Sequence, residues 1–175
     1  DLDESVAQLL RNSKKPIIIS GGGVFYSDAM DELGIFAVKH NIPVTQTVMG
    51  YSTMKKDHSH FVGPIGGLGG KAANNLAKET DLAICIGTKL ADFTTGSWAN
   101  FENPEFKLVS INIARHDANK HLAEAVIGDA KVTLTELSNA IGDWKSSDSW
   151  HKKSQLELKS WNEYVDKESG PTNQD

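Results

Sequence analysis

Cysteine is almost missing from this sequence: Cys85 stands alone among 175 residues. A single cysteine excludes an internal disulfide and any zinc site built on several thiolates. Long apolar runs are also missing. None approaches the roughly 20 residues that a membrane-spanning helix requires, and no signal-peptide pattern is visible. Lys and Arg number 18 against 23 Asp and Glu, for a net charge of -5, and no basic cluster or stripe occurs. That balance argues against nucleic acid and anionic membranes as partners. G-x-S-x-G does not occur, so Ser20 lacks the setting of a nucleophile elbow, and no Ser-His-Asp set can be assigned. A cytoplasmic protein is expected. The chain opens on DLDES without methionine and closes on SGPTNQD, which suggests a segment of a longer polypeptide.

What is present is ordinary for a globular chain: 39% hydrophobic and 23% charged residues. At this length one domain with a sizeable core is the simplest reading. Ser5 to Arg11 has Val6, Leu9 and Leu10 on one helical face, with Asp3 or Ser5 as possible caps. Pro16 then leads an apolar, β-branched run, Ile17 to Ser20, that stops at Gly21, Gly22 and Gly23. A helix of about a dozen residues follows, with Ala29, Met30, Leu33, Phe36 and Ala37 sharing a face and Asn41 as C-cap. VTQTVM is a second strand. Residues 51 to 70 read as one long connection, and Lys71 to Thr80 as a helix. DLAICIG (81 to 87), FKLVSINI (106 to 113) and EAVIGDA (124 to 130) are further strands, and ARHDANKHLA holds a helical turn. VTLTELSNAI is a helix with Val132, Leu134, Leu137 and Ile141 toward the core.

Strands alternating with crossover helices imply an α/β fold with a mostly parallel sheet covered on both faces. About five strands are countable. Beyond residue 143 the chain turns polar, and Trp150, Leu156, Leu158, Trp161 and Val165 fit one amphipathic helix. Residues 1–143 therefore read as the domain, and 144–175 as a linker helix or tail toward a missing domain.

In open parallel sheets, ligands bind beyond the carboxyl ends of the strands. Here those ends carry Gly21 to Gly23, Thr47 to Gly50, Gly87 to Lys89 with Asp92, Asn112 with Ile113, and Gly128 to Ala130. Gly21 and Gly23 begin a G-x-G-x-x-G fingerprint, but the third glycine is replaced by Tyr26. GGLGGKA is no Walker A loop: three residues, not four, separate Gly66 from Gly70, and Ala72 stands where a magnesium-holding hydroxyl belongs. Gly67, Gly69 and Ala72 leave a phosphate-facing backbone nest open. His58 with His60, and His116 with His121, are read as solvent-exposed rather than metal-binding. Cys85, inside an apolar strand, is read as a buried structural thiol.

PIIISGGG, IPVTQTVMG, GPIGGLGGKAANNLAKETDLAICIGTKLADFTT, VSINIARHDANKH and VIGDAKVTLTEL, in this order, resemble the central domain of thiamine-diphosphate-dependent enzymes. The resemblance spans residues 3 to 143. Within the family, DFTT and INIARHDANKH look most like inositol-catabolic hydrolases that open the ring of a cyclic 1,2-dione. The resemblance implies a three-layer, Rossmann-like (DHS-like) α/β domain with a sheet of five to six strands. It also implies flanking pyrimidine and pyrophosphate domains in the same protein, with thiamine diphosphate and magnesium held between them, and a homo-oligomeric parent. Gly128-Asp129-Ala130 is not the family's GDG metal motif, so no cofactor, catalytic residue or metal ligand is expected in this chain.

Some relatives hold FAD or ADP in this domain. Carried over, the contacts are Gly22, Gly23, Thr47, Val48, Gly87, Thr88, Lys89, Asp92, Asn112, Ile113, Asp129 and Ala130. Lys89 replaces the usual arginine and cannot form its bidentate fork on phosphate. Asn112 replaces an acidic ribose contact. A scaffold role is therefore expected, with an FAD- or ADP-binding module as the alternative. Sirtuin-like deacylases share a related fold but need a four-cysteine zinc module, which one cysteine excludes.

Overall fold

Five consecutive residues without charge form each of two central strands, β1 (Pro16–Ser20) and β4 (Leu82–Ile86), and every one of them is buried. Such continuous apolar runs suit strands covered on both faces. A computed structural model describes residues 4–169 and places these two strands side by side, in parallel, at the centre of a sheet. Around them lie β2 (Val44–Gln46), β3 (Phe61–Pro64), β5 (Lys107–Asn112) and β6 (Glu124–Ile127). The order is β3-β2-β1-β4-β5-β6, and every neighbouring pair is parallel. This is the Rossmann-like arrangement expected, with six strands.

Alternate side chains feed two cores. Ile18, Val44, Ile84 and Val109 point to the face covered by α1 (Glu4–Asn12), α3 (Met30–His40) and α7 (Ala130–Ile141). Ile17, Ile19, Ala83 and Cys85 point to the opposite face, against α4 (Lys71–Glu79). Ala72, Ala73 and Ala77 give α4 a thin inner side that lets it lie close to the sheet. Each fully buried isoleucine contributes about 1.5–3 kcal/mol through apolar area removed from water. The short helices α2 (Gly22–Tyr26), α5 (Asp92–Thr95) and α6 (Arg115–Ala118) stand at strand ends.

The last helix, α8 (Asp148–Glu168), lies against α4 and β3. The Ser147 hydroxyl caps it by accepting from the Trp150 N–H. Trp150 is buried among the second core, and its Nε1–H donates to the Pro16 carbonyl at 2.8 Å. Ser154 is buried, while Leu158 and Trp161 pack at the edge of the same core. Leu156 is exposed, because 100° per residue turns it away from that face.

Several expectations are corrected. The connection over 51 to 70 contains β3, an edge strand where Pro64 costs no central ladder bond. β2 stops at Gln46, because Val48–Gly50 forms a 3-10 turn closed by Thr47 Oγ1 accepting from Gly50 N–H. The helix after the glycines is two, α2 and α3, separated at Asp28 with φ 51°. Asn41 is the left-handed C-cap expected. Val132 is exposed, since α7 buries Ala130, Thr133, Leu134, Leu137 and Ile141 instead. His60 is buried, not exposed, whereas His116 and His121 do face solvent. Ser5 lies inside α1, and Asp3 lies outside the described residues. Among the described residues no helix is long and apolar enough to cross a membrane.

Candidate functional site: the cleft at the carboxyl ends of the strands

The loops that leave the strands are fastened to one another by backbone hydrogen bonds. Thr47 N–H donates to Ser20 O, Gly21 N–H to Ile86 O, Gly23 N–H to Gly87 O, Gly87 N–H to Ile111 O and Gly128 N–H to Asn112 O. The chain crosses over between β1 and β4, and there two glycines meet face to face. A Cβ on Gly23 would lie 2.5 Å from Gly87 Cα, and Gly87 itself has φ +60°. These glycines are required by the approach of one turn to another, whatever else the cleft holds.

Above this corner opens a cavity of about 770 Å³. Eleven of the twelve residues expected from the sequence line it: Gly22, Gly23, Thr47, Val48, Gly87, Thr88, Lys89, Asn112, Ile113, Asp129 and Ala130. Asp92 is not among the lining. It opens α5, and its carboxylate accepts from Ser97 Oγ at 2.9 Å. Tyr26 and Met49, named in the sequence at the turn and in a strand end but not as contacts, also line the cavity, and Ser27, Ile65, Phe93 and Asp117 line it and escaped the sequence reading. They follow strand ends by a few residues, and only the loops' folding brings them inward. The rim is apolar and open: Tyr26 is 82% exposed, Met49 76% and Ile113 74%.

Five polar side chains of the cleft are engaged within the fold. Asn112 donates to Thr88 O and accepts from Ala114 N–H. Thr88 Oγ1 accepts from Leu90 N–H, and Thr47 Oγ1 from Gly50 N–H. Asp117 takes Lys120 Nζ at 2.6 Å; this contact, aided by Lys89 nearby, holds its carboxyl below the usual range. Asp129 caps α7, accepting from the N–H groups of Lys131 at 2.9 Å and Val132 at 3.2 Å. Ser27 and these two amides hold its carboxyl below 3.8. The contribution is therefore present above that pH and lost as pH falls through the lowered value. Asp129→Ala should destabilise the protein by about 1 kcal/mol, readable in urea denaturation at pH 7.

An anion at the start of α7 would meet a carboxylate already in its seat. Nor does Gly128-Asp129-Ala130 fit a magnesium–diphosphate group, since its carboxylate is turned onto the helix amides. Among the described residues no three His, Cys, Asp or Glu side chains converge as metal ligands. The nest considered for GGLGGKA is also corrected. Gly66 N–H donates to Asn74 Oδ1, Gly67 to Phe93 O, Gly69 to Gly66 O and Gly70 to Pro64 O. These amides tie β3 to α4 and α5, leaving none of the four for a phosphate. Cys85 is fully buried, and burial pushes its thiol up, as befits an inert side chain.

Comparison with known proteins agrees with this geometry. The family model for the thiamine pyrophosphate enzyme central domain matches residues 4–137. A 3D-(3,5/4)-trihydroxycyclohexane-1,2-dione hydrolase of Clostridium perfringens is 46% identical over 134 residues, which is 77% of this chain and 21% of that protein. One of Clostridium botulinum is 45% identical over 129 residues, 74% of this chain and 20% of its own. The hydrolase 1 of Bacillus cereus is 44% identical over 142 residues, 80% of this chain and 22% of its own. The chain thus spans about one fifth of the length of the curated relatives it matches. With its six parallel strands, its glycine corner and its match over most of its length, the chain belongs to the thiamine pyrophosphate enzyme central-domain family.

Proposed function

We propose that this chain is the non-catalytic central domain of a thiamine-diphosphate-dependent hydrolase that opens the ring of a cyclic 1,2-dione. The observation that carries the scaffold reading is the state of the cleft. Thr47, Thr88, Asn112, Asp117 and Asp129 each serve the fold, through hydrogen bonds or an ion pair within the chain. The domain's task is then to present a rigid sheet to the flanking pyrimidine and pyrophosphate domains and to subunit contacts in a homo-oligomer. Thiamine diphosphate and magnesium belong to those other domains, and no ligand for them comes from this chain. Residues 144–175 lead toward the next domain, and the setting is cytoplasmic.

The full-length protein is expected to consume the cyclic dione with water only when thiamine diphosphate and magnesium are supplied. Turnover without them would overturn the assignment. The 175-residue chain by itself is expected to remain colourless. It should melt within about 1 °C of its unliganded temperature in about 1 mM FAD or ADP, because a ligand that binds the native state must raise its stability. A yellow protein, or a rise of several degrees, would replace the scaffold reading with that of a nucleotide-binding module.

A further inference from the structure

The root of α8 is set in a group of histidines that the cleft does not use. His60, just before β3, is 6% exposed. Its ring lies on that of His151 in α8, with centroids 4.2 Å apart and planes at 22°. The hydrogen bonds around His60 define its proton. Asn41 Nδ2 donates to Ser146 O and to Asp148 Oδ1, which leaves Asn41 Oδ1 to accept from His60 Nε2 at 3.1 Å. His60 Nδ1 then carries the lone pair and accepts from Ser59 Oγ at 2.9 Å. The ring is fully satisfied in its neutral form. A second proton would only reverse the Ser59 bond, with Nδ1–H donating to Oγ, but it would set a buried cation against His151.

His151 is worse placed to gain charge. Its Nδ1 is buried without a hydrogen-bond partner among the described residues. The groups facing the pair come from every side. α8 contributes Asp148, already engaged by the Asn41 amide, and the loop contributes His58, whose ring centroid is 5.9 Å from that of His60. The end of α3 contributes uncharged Asn41, while its His40 turns away to Trp144 O and Ser138 Oγ. β3 offers no titratable side chain. No carboxylate accepts from either ring among the described residues.

We propose that the His60–His151 stack is a pH-sensitive latch: while both rings are neutral it helps hold the root of α8 against the start of β3, and protonation weakens that hold so that the helix opens more often from a sheet that stays folded. Burial, with His151 and His58 alongside, lowers His60 to about 4, and burial lowers His151 against the pull of Asp148. Groups lowered in this way bind fewer protons docked than released. The docked state is therefore full strength above the ordinary 6.5 and weakens as pH falls toward 4. Between pH 7 and pH 5, His60 alone shifts the balance against docking by about twentyfold. At pH 5 the other contacts of α8 persist: Trp150 keeps its bond to Pro16 O, and Lys153 and Lys15 hold the Glu79 carboxyl below its usual range.

The test is amide hydrogen exchange on the whole chain at pH 7 and pH 5, corrected for intrinsic rates. Protection over residues 148–168 is expected to fall about tenfold or more relative to β4, and by less than about threefold in a His60→Gln, His151→Phe double variant. Unchanged protection, an equal loss in α8 and β4, or the full loss persisting in the double variant would each overturn the latch. Should that variant fail to fold, His151→Phe alone retains a neutral ring in the stack and should show a smaller loss than wild type. Imidazole NMR of the wild-type chain supplies a second reading. His60 should stay neutral at pH 5 in molecules whose α8 is docked, and a charged His60 there would end the proposal.

Discussion

Gly87→Ala should remove about 2–5 kcal/mol of unfolding free energy, a large fraction of the roughly 5–15 kcal/mol that keeps a domain folded. Two costs combine at this position. The backbone stands at φ +60°, where an L side chain is strained, and a Cβ would lie 2.5 Å from Gly23 Cα. Neither neighbour can give way. Gly23 donates to Gly87 O, and Gly87 donates to Ile111 O, so moving either turn breaks ladder-end hydrogen bonds between β1, β4 and β5. Urea denaturation should show the loss as a lower midpoint, and a chain of this size should melt roughly 10 °C earlier. Gly67→Ala is the control. Its Cβ would meet the Phe93 ring at 3.6 Å and the Phe93 carbonyl oxygen at 3.7 Å, ordinary contacts, so it should stay within about 0.5 kcal/mol of wild type. Equal stability of the two variants would mean that the glycine corner does not carry the packing described.

Trp150→Ala should cost about 3–5 kcal/mol, the range of large-to-small changes in well-packed cores. The indole is 3% exposed and sits on the face of β1 and β4 that α4 also covers. Its removal leaves a cavity and also strips the Pro16 carbonyl of the Nε1–H donor. Trp150→Phe separates the two effects: it refills most of the space but leaves that carbonyl without its partner, at about 1–3 kcal/mol. Near-neutral behaviour of Trp150→Ala in equilibrium unfolding would show that α8 adds nothing to the domain's stability. Loss of cooperativity would instead show that α8 unfolds as a unit of its own.

The two substitutions probe parts of the molecule that differ in how far they could be read in advance. The glycine corner announces itself: an apolar β-branched run, three glycines, then a helical pattern, repeated in weaker form at Gly87 and Gly128. Strand ends are marked by local chemistry, so eleven of the twelve candidate positions converge on one cleft. Asp92 is the exception. It follows β4 closely in sequence, but the chain rises into α5 and turns its carboxylate to Ser97. β3 was hidden because FVGP is short, glycine-bearing and proline-ended, features that an edge strand tolerates and a central one does not. His60 was misjudged for a related reason. A polar loop predicts exposure, but α8, ninety residues later, covers the ring.

By itself the sequence determined the class of fold, the alternation of strand and helix, the glycine turn after the first strand, and the family. All of these rest on interactions between residues near in the chain, or on glycine and β-branched chemistry that admits few alternatives. Only the tertiary structure decided what the polar residues of the cleft do. Whether Asn112 or Asp129 meets a ligand or a backbone amide depends on where the loops bring those amides, and here both side chains are bonded to the backbone. The same holds for the place of α8 over the sheet. At Gly21 to Gly23 both levels agree: the glycines that mark a nucleotide-binding unit in the sequence are, in the folded chain, the room one turn makes for another.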